Sequence, residues 1–242
     1  MIDCQRDVVG RQSFSKLTIT IVINIGTLPA QPAPTSVPII DIVYPAPTGS
    51  IFDVNCGRLL KVTIKPEFIQ EAVRRAPELQ SAWGREGRQY LTTTFVEIGL
   101  AFPYKEMQAT LTVCPGVTTM SNPLFINVEN YLPSAAERFP DEHFVEQLYH
   151  ELMHQYVHQV REVSTLRKKY ANEGTATLSH LHVIALEKLV LSKLGKTEEL
   201  TRVAHDYQTS PSPQYRRAWQ IVSDDGYEPY VNELKQLAQS RK

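Results

Sequence analysis

Charge of one sign is what this chain most lacks. Its 25 Lys and Arg stand against 26 Asp and Glu, a formal net charge of −1 over 242 residues. Without a basic excess there is no electrostatic case for nucleic acid or for an anionic membrane surface as partner. The basic residues gather at Arg167-Lys168-Lys169, a run that reads as a solvated turn. Long apolar stretches are missing as well. Residues 17–28 form an apolar stretch of about a dozen residues, where a spanning helix needs about 20, so no stable membrane insertion is expected. Cysteine is scarce: Cys4, Cys56 and Cys114 are not spaced for a metal. Cys56 and Cys114 could form one disulfide in an oxidising space or stay unpaired. No repeat period is present, and low complexity is confined to the early Pro-rich run. What remains is a 42% hydrophobic chain, enough to bury one sizeable core or two small lobes.

The first fifty residues read in two ways. Arg6, Arg11 and Lys16 precede the apolar stretch, and small residues follow near Pro29-Ala30-Gln31-Pro32-Ala33, the layout of a signal segment. On this reading residues 1–33 are a leader, 34–50 a linker, and the protein is exported to a periplasmic or secreted location. The Thr/Ile alternation also fits a β-strand, which would leave the protein cytoplasmic. Residues 51–242 then make one domain, an α+β lobe at 51–140 and a helical lobe at 141–242. Pro66–Trp83 and Arg85–Leu100 are expected as helices, with strands at Leu59–Ile64 and within 107–128.

What is present is His150-Glu151-Leu152-Met153-His154. With 7 His and 18 Glu in the chain, composition alone yields about 0.015 such matches. Phe144, Leu148 and Leu152 recur at helical spacing, as do Val145, Tyr149 and Met153, and no Gly or Pro interrupts 141–170. On a helix running to about Val160 the two histidines share a face, about 5–6 Å apart, and can reach one Zn²⁺. Glu151 falls beside that metal, placed to take a proton from an activated water. Zinc needs a third protein ligand. His158, on the same straight helix, lies about 12 Å along the axis from His150 and is too far. A metzincin would put His at position 160 and Gly at 157, but Val160 and Val157 stand there. Glu173 is the better candidate, separated from His154 by eighteen residues, in Asn172-Glu173-Gly174-Thr175-Ala176. Asn172 would cap a second helix that runs through Leu181 and Ile184 to a stop at Gly195. His180, seven residues after Glu173, shares nearly the same face and is either a core-edge or a cleft histidine.

The two motifs at this interval resemble the gluzincin zinc metallopeptidases, particularly the catalytic core of their aminopeptidase branch without its extra domains. The resemblance implies a zincin-like α+β fold: a small mixed sheet with an edge strand over the active-site helix, and a mainly helical C-terminal half. It implies that His150, His154 and Glu173 bind one Zn²⁺ and that Glu151 is the general base. Tyr215-Arg216-Arg217-Ala218, with Asp225-Gly226-Tyr227 further on, is similar to the family segment whose first Tyr donates to the developing oxyanion. That implies Tyr215, with Tyr207, Tyr227, Tyr230 and His205 as alternatives. The edge strand is expected at Pro123–Val128, with Met107–Cys114 as its neighbour. Ser121 stands where aminopeptidases carry the Glu that anchors a substrate amine, which favours an endopeptidase. Thr177 stands where thermolysin-like relatives have an Asp that orients a ligand His. The expected partner is a peptide or protein substrate. The alternative is a non-catalytic zinc-binding or interaction protein on a peptidase scaffold, which would have no use for Glu151.

Overall fold

Along Ile39–Val43 (β1), buried Ile40 and Ile42 alternate with exposed Ile39 and Asp41, the period of a strand with one covered face. A computed structural model describes residues 36–45, 51–117 and 119–241. The leader expected at 1–33 lies outside them. Of the expected linker, the described part is not a connector: residues 39–43 are β1. It pairs in parallel with β2 (Glu106–Thr112), β2 pairs in parallel with β4 (Leu124–Asn127), and β3 (Met120–Ser121) runs antiparallel on β4. The order β1-β2-β4-β3 makes the small mixed sheet of an α+β fold, as expected, and the described residues are mainly helical.

Several boundaries differ from expectation. Leu59–Ile64 is not a strand: α1 (Ile51–Leu60) ends there, and the place beside β2 is taken by β1. The expected edge strand at 123–128 is internal, because the chain folds back through Met120–Ser121 and makes β3 the edge. The opposite edge is closed by a side chain. Gln80 accepts from the Ile42 N–H (2.8 Å) and donates to the Ile40 carbonyl (3.1 Å), satisfying backbone groups that an open edge would expose. Gln80 belongs to α2 (Pro66–Ala82), which Pro66 starts at a position where a missing N–H costs nothing. A π-helical turn, Trp83–Gly87, carries the chain without a break into α3 (Arg88–Ile98). Gly87 is needed there, since a Cβ would come within 2.0 Å of the Trp83 ring.

The helical half is built around two buried helices. In α4 (Asp141–Val157), Phe144, Val145, Leu148, Tyr149, Leu152 and Met153 are buried. After a 3₁₀ turn and the short α5 (Thr165–Lys169), α6 (Thr175–Lys193) packs on α3, α4 and α7–α9. It is apolar on nearly every side, as a central helix must be. Gly195, in the left-handed region at φ 68°, follows its end. The helices α7 (Thr197–Thr209), α8 (Pro213–Asp225) and α9 (Glu228–Ser240) close around it. Cys56 and Cys114 are joined in a disulfide with Cα atoms 6.2 Å apart, tying α1 to the segment after β2. Among the described residues, no helix is long and apolar enough to cross a membrane.

Candidate metal centre

One turn of α4 separates His150 from His154, and their Nε2 atoms face each other at 3.1 Å. Tetrahedral ligand nitrogens at the usual Zn–N distance stand about 3.3 Å apart, so the pair has the spacing of two ligands to one ion. The third member comes from α6. The His180 ring lies 5.2 Å from His150 and 4.6 Å from His154 between centroids. One donor atom from each of the three falls within 4.8 Å of the others. Three imidazoles that leave a coordination position open make a donor set that suits a catalytic zinc.

Hydrogen bonds assign which nitrogen of two of these rings can bind. His180 Nδ1 lies 2.7 Å from the Ala176 carbonyl, which can only accept, so Nδ1 carries the hydrogen and Nε2 the lone pair. His150 Nδ1 donates to Glu187 Oε1 at 2.9 Å, which again leaves Nε2 for a metal. Glu187 is itself buried and receives the Tyr207 hydroxyl at 3.1 Å, and Tyr207 stacks on Trp219. Burial lowers His154 to about 2 and His180 to about 3, with the charge of His150 adding to both effects. Burial pulls His150 down as well, but the Glu187 carboxylate outweighs it and raises that imidazole to about 9.

Glu151 lies beside this cluster, 6% exposed, on the wall of a cleft of about 250 Å³. Burial lifts its carboxyl above the usual range, opposed by the charge of His150 and reinforced by that of Glu187. Tyr215 lines the same cleft from α8, its ring 4.3 Å from that of His180. Burial raises its phenol, and the Glu151 charge adds to the shift. The alternatives to Tyr215 are differently occupied. Tyr230 donates to Asp225 at 2.8 Å, Tyr207 is engaged with Glu187, and His205 is exposed.

Glu173 is not part of the cluster. Gly174, not Asn172, caps α6, so the helix begins at Thr175 and Glu173 stays outside its first turn. The Arg217 Nε–H donates to Glu173 Oε1 at 2.8 Å. The metal-capable residue on this side is His180, two helical turns further on. His158, at the C-terminal end of α4, is exposed and also outside the cluster. The orienting carboxylate absent at Thr177 is supplied by Glu187, while Thr177 bonds the Gln214 carbonyl. Its signal in the sequence is faint: His180 and Glu187 are seven residues apart, polar positions on one face of an otherwise apolar helix.

No family model, no curated protein and no solved structure matches this chain.

Proposed function

We propose that this protein is a zinc-dependent peptidase, with His150, His154 and His180 as the metal ligands and Glu151 as general base. The observation that supports it most is the convergence of three imidazoles, two of them with Nδ1 tied back so that Nε2 is turned to the cluster, beside a buried carboxylate in an open cleft. When bound, zinc lowers the pKa of a coordinated water to about 7 and polarises a carbonyl. Glu151 accepts the proton of the attacking water; its raised affinity for protons suits it to hand that proton on to the leaving amine. Tyr215 donates a hydrogen bond to the oxygen on which negative charge develops. Glu187 holds His150 in the tautomer that binds metal, and Tyr207 holds Glu187. β3 is an edge strand packed on α4, with Gln155 donating to the Ser121 carbonyl. Ser121 offers no carboxylate to anchor a free amine, so cleavage within a peptide chain is favoured over removal of its first residue. The disulfide supports an oxidising compartment, and hence export.

The test is metal analysis with cleavage of casein and of a peptide library. The expected result is one zinc per chain and cleavage that Glu151→Gln abolishes while zinc is retained. Stoichiometric zinc without turnover would leave the non-catalytic scaffold reading. Absence of zinc would remove the site itself. Because Glu173 and His180 are competing third ligands, the same analysis on two variants separates them. His180→Ala should lose zinc, and Glu173→Gln should keep it.

A further inference from the structure

The cleft does not stop at the histidines. It runs between α4 and α7 toward the start of α4 and reaches His143, Gln147 and Asp206. His143 precedes His150 by two helical turns, about 10 Å along the axis. That is the reach of one long side chain from a carbonyl held at the metal cluster. The walls on the way are Val203 and the Tyr207 ring, suited to an aliphatic stem.

Carboxylates outnumber the groups that can be cationic on the wall of this cleft. Glu146, Glu151, Glu187 and Asp206 line it, and no described lysine or arginine does. Three of these carboxylates have assigned partners or roles. Glu146 takes two bonds from Arg202, which neutralises both; Glu187 holds His150 and Tyr207; Glu151 stands at the reaction centre. Asp206 is different. Its side chain is 51% exposed, and its sole ion-pair contact among the described residues is His143 Nε2 at 3.7 Å, longer than a hydrogen bond. Burial lowers the proton affinity of His143 while Asp206 pulls it back up, and Arg202, one turn earlier on α7, attracts Asp206 with its guanidinium bonded to Glu146. His143 Nδ1 is in turn held by the Tyr131 hydroxyl at 2.6 Å. A channel flanked by Val203 and the Tyr207 ring that starts at the histidine cluster and ends at a half-exposed carboxylate matches a long cationic side chain.

We propose that this channel is a specificity pocket for a lysine or arginine side chain of the substrate, with Asp206 as the acceptor of its charged head. The proposal rests on the peptidase reading for its substrate, though not for its binding test. Zinc-loaded Glu151→Gln protein is titrated calorimetrically with Nα-acetyl-argininamide and with Nα-acetyl-norleucinamide. Both probes lack a free α-amine, so any difference belongs to the side chain. The arginine compound should bind about fivefold tighter, the scale of a half-exposed ion pair, and more weakly as salt is raised. Adding Asp206→Asn should bring the ratio close to one. Equal affinity for the two compounds, or a preference that survives Asp206→Asn, overturns the pocket. Asp206 is half exposed, so the substitution threatens no core contact, and Asp206→Glu should restore part of the preference. Preferential arginine binding by a protein that cleaves nothing would keep the pocket and discard the peptidase.

Discussion

Each ring nitrogen of His150 has a different task, and the side chain behind it decides whether the other is usable. Nδ1 is tied to Glu187, so Nε2 faces His154. Carboxylates in this position raise ligand basicity and fix ring orientation, and removing one typically weakens metal binding 10- to 100-fold. Glu187→Gln should therefore lower zinc affinity by about that factor while leaving the stoichiometry at one, as read by competition with a chromogenic chelator. An unaltered affinity would mean that Glu187 is a fold-holding residue only. Tyr207→Phe should follow in the same direction with a smaller effect, since Glu187 retains its bond to His150.

At the scale of elements, α9 is fastened to the turn between α4 and α5 through one carboxylate. Glu233 accepts from the Ser164 and Thr165 hydroxyls, from the Thr165 and Leu166 N–H groups, and pairs with buried His182 at 2.9 Å. Burial alone would raise this carboxyl, but the donors outweigh it and hold it well below the usual range. A depressed folded-state pKa contributes stability above the unfolded value, about 4.3, and loses it as pH falls below that value. Glu233→Gln should accordingly lower stability at pH 7 by roughly 2–4 kcal/mol and flatten the acid limb of the unfolding curve. Parallel acid limbs in variant and parent would contradict this. In α6, Ile184 is fully buried, and Ile184→Ala should cost about 2–5 kcal/mol in urea unfolding.

At the scale of the whole molecule, the disulfide closes a separation of 58 residues and joins α1 to the segment that leads into β3. A loop of that length constrains the unfolded chain by roughly 4 kcal/mol in the chain-entropy treatment. Reduction, or the Cys56→Ser and Cys114→Ser pair, should lower the unfolding free energy by a comparable amount. A reduced protein of unchanged stability would argue against the pairing. The same covalent tie holds the β2–β3 segment whose Thr119 lines the cleft. Loss of the disulfide should therefore reduce any cleavage activity before the helical half unfolds, measurable as activity falling at lower denaturant than helical circular dichroism.

Much of this was legible in the chain itself. The apolar repeat of 144–157 and the His-Glu-x-x-His spacing specify a helix presenting two histidines, because both follow from a 3.6-residue period that needs no distant partner. Helices at 66–98 and the stop at Gly195 were readable for the same local reason. The strand order was not, since β1 comes from a stretch that reads as linker and wins its place by pairing with β2, a contact across more than sixty residues. The third metal-capable residue was likewise decided in three dimensions. Asn172-Glu173-Gly174 carries a ligand-like pattern, but the start of α6 at Thr175 and the guanidinium of Arg217 keep Glu173 outside the cluster. His180 and Glu187 acquire their positions from how α6 crosses α4. The sequence alone determined which residues can bind and transfer protons, since that is chemistry carried by side-chain type. The tertiary structure decided which of them meet, since the approach of two helices is set by packing over the whole core.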